Sequence, residues 1–379
     1  MTDPLVVAGA GIAGLALAAG LERRGGAPYV LLDERPELGS TGGAITLWPN
    51  AMAALEEIGV ADDVRRAGHP ISAGTIRTRT GRLLRSVDLA RSIAVLGGPL
   101  VAVRRGALIE ILRSRVRADS VVLDRAVRGY RREGAGVQVL TDGEPLTAAA
   151  LVGADGYRSE VARVLHPGLD ETYAGYPAWR GIAAVGGLEP GQLWGGRKEF
   201  GVVPLPGEET YWFATAHEPA AGNATDQLAH LRDVFADWPD PVRRVLEATG
   251  PDAVTRNDVM DRALPRRWTD GPVVVIGDAA HAMRPHLGQG GCQALVDAAV
   301  LARVLASAGS ATAAFTAFEK LRRRPTARVV ALSKAAGRAI NAPDALHRLT
   351  RLAPDTLALR SLARVGGTSA YPWTSVVEE

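Results

Sequence analysis

The chain has 379 residues, 47% apolar and 22% charged, which is enough to bury a sizeable core and more than one compact unit of ordinary size holds, so two domains are expected. With 44 basic against 41 acidic residues the formal charge is only +3, lysine occurs only at Lys198, Lys320 and Lys334, and no basic block is present, which argues against nucleic acid as a partner. The single cysteine, Cys292, excludes an internal disulfide framework and a cysteine metal site; no bound metal is expected, and a reducing, cytoplasmic setting fits.

The opening segment enters a strand directly, without a basic n-region or cleavage site, and no apolar run approaches the roughly eighteen residues needed to cross a bilayer, so neither export nor membrane insertion is expected. Leu5–Ala8 reads as that strand, followed by Gly9, Gly11 and Gly14 in GAGIAG and an alanine- and leucine-rich helix to about Arg23. The first glycine allows a tight turn, the second lets backbone approach a pyrophosphate, and the third lets helix and strand pack closely. A second strand, Tyr29–Leu32, ends in Asp33, Glu34 and Arg35, which places an acid roughly twenty residues beyond the last glycine, where a ribose hydroxyl would be held. Ala51, Leu55 and Ile58 then repeat at helical spacing behind a Pro49-Asn50 start.

Residues 71–103 alternate in short runs, with Thr80, Gly81 and Arg82 as a hairpin turn, and read as the first part of an antiparallel sheet. VAVRRGALIEILRSRV returns to helix, and 119–152 read as a strand meander whose last member, Ala149–Gly153, leads into Asp155 and Gly156. From about Pro167 to Pro265 prolines and aromatics increase, with strands Phe200–Val203 and Thr210–Thr215, then helices Asp226–Trp238 and Pro241–Ala248; one face of this sheet would roof a flat apolar pocket. Val273–Gly277 reads as a buried parallel strand with Asp278 at its carboxyl end. Pro285 breaks the chain, and Gly288, Gly290 and Gly291 uncover backbone amides ahead of a helix from about Gln293 to Leu305, the making of an anion site. Thr312–Arg338 is helical, with a kink expected at Pro325 and Arg322, Arg323 and Arg324 as a solvated face; Leu346, Leu349, Leu352, Leu357 and Leu362 suggest a last helix.

Gly277, Asp278, Ala279, Ala280, His281, Pro285, Gly288, Gln289 and Gly290, in the pattern GDAAH followed by PxxGQG, resemble the second flavin-contacting motif of the single-component FAD-dependent aromatic hydroxylases, the group typified by p-hydroxybenzoate, salicylate and urate hydroxylases and tetracycline-modifying monooxygenases. Gly43, Ile45, Leu47, Pro49, Asn50, Ala51, Leu55 and Gly59 are similar to that group's segment passing over the flavin. Asp155, Gly156 and Ser159 match its GADGxxSxxR signature, found near both FAD and the path of the pyridine nucleotide, although Ala162 stands where the arginine is usual and Arg163 comes one later.

The resemblance implies an α/β fold: a Rossmann-like FAD-binding domain over 1–70, 101–166 and 266–340, interleaved with an antiparallel β-sheet substrate domain over 71–100 and 167–265, and a bridging C-terminal helix over 341–379. FAD would be held by Gly9, Gly11 and Gly14, by Glu34 (preferred to Asp33 on the group's Glu-Arg pair) with Arg35, by Gly43, Ala44, Arg105 and Asp155, and by Gly277, Asp278, Pro285, Gly288, Gly290 and Gly291. NAD(P)H would reduce the flavin, dioxygen would form a C4a-hydroperoxide, and an aromatic or heteroaromatic substrate would be hydroxylated or epoxidised by a monomer or homodimer. Pro285 would lie near the flavin ring, Tyr211 would point at the substrate, and His286 would take a proton from a phenol or ring N–H; His281 reads as structural. In urate-hydroxylating members an Arg on the sheet and an Asp after the proline stand where Glu199 and His286 stand here, so urate is not expected as the substrate. A second GxGxxG is absent, which argues against reductases with a separate nucleotide fold. A flavin-dependent reductase or desaturating enzyme of the same fold, and a flavoprotein that only sequesters a small molecule, stay open; oxygen from labelled dioxygen in the product, or NAD(P)H turnover, separates them.

Overall fold

The computed structural model describes residues 3–25, 28–39, 43–222, 224–347 and 355–373. Strands that are apolar on both faces persist only when covered on both sides, and Leu5–Ala8, Ala150–Gly153 and Val273–Val275 are buried throughout. They form the heart of a six-stranded sheet in the order Thr269–Asp270, Val273–Val275, Ala150–Gly153, Leu5–Ala8, Tyr29–Leu32, Val121–Val122, in which only the first strand runs antiparallel to its neighbour. Helix Ile12–Arg23 packs along helix Gly290–Ser307, close enough that a Cβ on Gly20 would come within 2.9 Å of the Ala302 methyl.

Helix Gly290–Ser307 departs from the sequence reading in two ways. It starts at Gly290, not near Gln293, so Gly290 and Gly291 form its first turn. The packing there is close: a Cβ on Gly291 would lie 2.3 Å from the terminal methyl of Ile45, so glycine lets the small sheet lie over the helix start without moving that side chain. By length and hydropathy the 18-residue helix also meets the requirement for crossing a membrane, contrary to expectation, but 67% of it is buried inside the protein, as in the core helix of a globular fold.

The second large sheet has seven strands, in the order Thr255–Arg262, Glu171–Ala183, Glu209–Ala216, Lys198–Leu205, Gly191–Gly195, Ala73–Thr78, Leu83–Asp88. It is antiparallel except where Gly191–Gly195 pairs in parallel with Ala73–Thr78, because that hairpin is added from a distant part of the chain. Side chains alternate between its faces. Trp179, Phe200, Val202, Trp212 and Ala214 point one way, into a core closed by helices Gln227–Val234 and Val242–Glu247. The opposite face presents Arg180 and Ile182, Tyr211, Phe213 and Thr215, and Glu199, Gly201 and Val203.

Two further differences come from β-branched residues and from a helix the alternation hid. Val101 and Val103 keep Leu100–Arg104 extended, pairing with Ala44–Leu47 and His69–Ile71, so the following helix spans only Arg105–Arg113. Leu89–Leu96 forms a helix inside the stretch read as strands. Ala311–Ile340 is a continuous helix through Pro325. At the C-terminal end, Asp344–His347 packs beside strand Gly191–Gly195, and Asp355–Gly366 packs on helices Leu89–Leu96 and Pro49–Ile58; Leu349 and Leu352 lie outside the described residues.

Candidate active site

The separate glycine turns of the sequence meet at one place. A Cβ on Gly9 would lie 2.5 Å from the Ala154 carbonyl, one on Gly14 would lie 1.9 Å from the Gly9 carbonyl, and one on Gly11 would touch nothing within 4 Å. Gly9 and Gly14 thus serve the turn and the helix–strand contact, while Gly11 leaves backbone open at a helix start that no side chain caps. Gly277, with φ of +59°, abuts Ala13 and Ala294, so the strand ending at Val275 delivers Asp278 between the two helix starts. Gly288, in the left-handed region, turns the chain into the Gly290 helix, and Ile12 and Ile45 meet over Gly291.

Asp33, not Glu34, occupies the end of the second strand: it is buried, and one of its oxygens accepts the Ala10 amide at 2.7 Å, while Glu34 is exposed. Arg35 closes on Asp33 through Nε at 2.8 Å and Nη2 at 3.0 Å. Burial pushes the Asp33 carboxyl up, but the hydrogen bonds from Arg35 and Ala10 outweigh it and leave the group below the ordinary aspartate value. Adjacent acids could not be told apart by spacing; the fold selects the one whose carboxylate can reach the glycine turn.

Arg105 stands at the opposite wall, where its amide donates to the Gly43 carbonyl at 3.1 Å. Its side chain is open to solvent yet surrounded by protein, which lowers its pKa, and the charge of Asp278 works the other way. Among the described residues its guanidinium has no ion pair, as suits a cation lining a cleft made for an anionic ligand. Asp278 is exposed, with Oδ1 3.9 Å from the Cβ position of Gly290, above the start of the long helix. Strand Ala44–Leu47 carries Ala44 opposite Arg104, and a Cβ on Gly43 (φ +89°) would lie 4.0 Å from the Tyr211 ring.

Asp155 lies beside the first glycine turn, its Cα 3.0 Å from where a Cβ on Gly9 would stand. Its oxygens accept Ser159 Oγ at 2.6 Å and the Val161 amide at 3.3 Å, while Ser159 caps helix Glu160–Leu165, so the acid is anchored through that helix start. Arg163 pairs with Glu160 and Glu171 at the surface. Sequence reading missed Arg262, a buried guanidinium that donates to the carbonyls of Tyr157, Asp278 and Ala279, tying the two acid-containing turns together. No motif spacing marks it.

Beneath the site His281 Nε2 meets Asp297 Oδ2 at 2.5 Å, Arg322 Nε donates to Asp297 Oδ1 at 2.7 Å, and the Gly277 amide donates to Asp297 Oδ2 at 3.0 Å. All three side chains are buried. Arg322 therefore belongs to the core and not to the solvated face expected of it, because Asp297 and Gln293 supply the partners a buried cation needs.

Over the site, Tyr211 and Phe213 project from the inner face of the seven-stranded sheet, with ring centroids 6.2 Å apart and Trp48 packed against them. Burial raises the Tyr211 phenol pKa, opposed by Arg180 and Arg105. His286, following Pro285 in a short 3₁₀ turn, has no exposed side-chain surface. Its Nδ1 lies 3.0 Å from Glu199 Oε2 and its Nε2 lies 2.8 Å from the Tyr176 hydroxyl. Burial pushes the Tyr176 phenol up to about 12, so it remains a donor to Nε2, leaving Nδ1–H to donate to Glu199. Both imidazole nitrogens are engaged within the protein, which corrects the expectation that His286 itself faces a substrate proton.

These residues suit a flavin dinucleotide: an open glycine turn, an acid locked at a strand end, an unpaired arginine and an uncapped helix start share one cleft. Residues 1–333 match the family model described as FAD binding domain. The chain is 38% identical over 324 residues to aurachin C monooxygenase/isomerase of Stigmatella aurantiaca, covering 84% of each chain. It is 31% identical over 328 residues to the FAD-dependent urate hydroxylase of Klebsiella pneumoniae, covering 84% and 85%. The crystal structure of Klebsiella pneumoniae HpxO complexed with FAD and uric acid superposes with a TM-score of 0.88 at 26% identity, over 96% of this chain and 97% of that one. The chain belongs to the FAD-binding domain family, as an FAD-dependent monooxygenase.

Proposed function

We propose that the protein hydroxylates or epoxidises an aromatic or heteroaromatic small molecule, using FAD, dioxygen and a reduced pyridine nucleotide. The observation that carries this reading is the convergence of the glycine turns at 9–14 and 288–291 under the aromatic face of the second sheet. The relatives' names and the uric acid bound in HpxO support an oxygen-transferring class acting on flat rings. FAD, when bound, supplies reductive activation of dioxygen, which side chains alone do not.

The chain's own residues do the rest. Gly9, Gly11 and Gly14, Arg35, Gly43, Ala44 and Arg105 serve to bind the dinucleotide, with Asp33, and not its exposed neighbour Glu34, on the ribose side. Asp278, Gly277, Pro285, Gly288, Gly290 and Gly291 shape the surface for the reactive ring, and the uncapped helix start favours negative charge there. Tyr211 and Phe213 exclude water and hold a flat substrate. Asp278→Ala is expected to weaken FAD retention about 10- to 100-fold, the loss of one hydrogen bond to a charged acceptor. The reading is tested by following NAD(P)H oxidation with and without aromatic compounds and by tracing ¹⁸O from labelled dioxygen into product. Substrate-stimulated oxidation with label incorporated is expected; turnover giving unlabelled product would move the protein to the reductase or desaturase class.

A further inference from the structure

We propose that Glu199 reads the substrate: its Oε1 accepts a hydrogen bond from a ring N–H or O–H, so the enzyme takes an uncharged heteroaromatic donor and rejects a ring bearing a carboxylate at that edge. The inference rests on the hydroxylase reading above and adds to it the chemistry of the ring edge.

Glu199 is 1% exposed, on the inner face of the sheet that carries Tyr211 and Phe213. Its Oε2 is occupied by His286, and His286 is occupied in turn by Tyr176. The imidazole is also trapped sterically, since a Cβ on Gly337 would lie 2.6 Å from its Cδ2 and 3.2 Å from the Tyr176 hydroxyl. The remaining oxygen, Oε1, is buried and has no partner. A buried carboxylate oxygen left unpaired is costly, and its persistence points to a donor that arrives with the ligand. Directly opposite in the strand pairing stands Thr215, whose hydroxyl is likewise buried and unpartnered. An acceptor and a hydroxyl side by side match a ring edge with an N–H or O–H next to a carbonyl or ring nitrogen.

The same arrangement sets a charge rule. One row along the inner face, Arg180 is the nearest cation by strand register, and it donates to Asn257 Oδ1 at 3.3 Å and lies beside Tyr211. Arg284, over the Tyr176 ring, is paired with Asp261, so a carboxylate brought to the Glu199 edge would meet like charge out of water while both neighbouring cations are already engaged, which is discrimination by repulsion.

The test uses FAD-loaded protein, the flavin absorbance change reporting binding of three probes: 4-hydroxyquinoline, its N-methyl-4-quinolone form, which lacks the donor, and 4-hydroxyquinoline-2-carboxylate. The parent compound should bind about tenfold or more tightly than either derivative, the scale of one hydrogen bond to a charged group. Glu199→Gln should recover about tenfold of the carboxylate's penalty while FAD content stays unchanged, which a merely structural role would not do. Carboxylate or N-methyl probes binding as tightly as the parent, unchanged ratios in Glu199→Gln, or no binding of any probe to loaded protein would overturn the proposal. The ranking on the unmodified enzyme decides it even where the variant does not fold. Failure to take up FAD would overturn the hydroxylase reading instead.

Discussion

A guanidinium cannot stay charged in a protein interior without partners, and Arg322, 1% exposed, has Asp297 and Gln293. Asp297 is pushed up by burial and brought back below its ordinary value by the charges of His281 and Arg322. Removing the cation strands that carboxylate, so Arg322→Met should lose about 3–5 kcal/mol in urea unfolding, whereas Arg324→Ala, on the exposed face of the same helix, should stay within about 0.5 kcal/mol. Asp261 shows the converse at a more open site. The hydrogen bond from Arg284, with Lys334 adding and burial opposing, lowers it from 3.8 to about 2. A folded pKa below the unfolded one stabilises fully above the unfolded value, and the gain disappears as pH falls through the folded value. Melting temperature should therefore drop between pH 3.8 and about 2 more steeply in the unmodified protein than in Asp261→Asn. Cys292 is buried beside the Thr46 and Gly288 carbonyls, and burial pushes its thiol up to about 12, so a thiol reagent at pH 8 should label it only after unfolding. At this scale the sequence separated residue types from roles poorly. Asp33 and Glu34 are neighbours, and Tyr176, Glu199 and His286 lie 110 and 87 positions apart in their contacts, a distance no local spacing encodes.

Elements were more legible than residues, because period and composition act locally. The apolar runs at 5–8, 29–32 and 273–277 and the alternation around 200–215 gave strands within a residue or two of those found. The errors arose where tertiary contact overrode local preference: the helix starts at Gly290, with Ile45 packed where a Cβ on Gly291 would stand, and Leu89–Leu96 coils among strands. Helix Ala311–Ile340 carries a prediction of its own. Glycine inside a helix ordinarily costs about 1 kcal/mol against alanine, yet the methyl of an alanine at 337 would come within 2.6 Å of the locked His286 ring. Gly337→Ala should thus lower the melting temperature where Gly309→Ala, with open space around it, should not.

At the scale of the whole molecule, two sheets with different rules meet over one cleft. The parallel sheet supplies the turns and helix starts that hold a dinucleotide, and the seven-stranded sheet turns one face outward to its own core and the other, with Tyr211, Phe213, Thr215 and Glu199, toward the cleft. The cleft was legible because three glycine-rich motifs each carry the same physical requirement, close approach of backbone to a ligand. The substrate edge was not, because it is assembled from strands whose register only the fold decides. The most direct test is a titration of FAD into apoprotein, followed by quenching of flavin fluorescence, for the unmodified chain, Asp278→Ala and the surface variant Arg163→Ala. Saturable one-to-one binding, weakened about 10- to 100-fold by the first substitution and untouched by the second, is expected; no saturation, or equal affinity in all three, would contradict it.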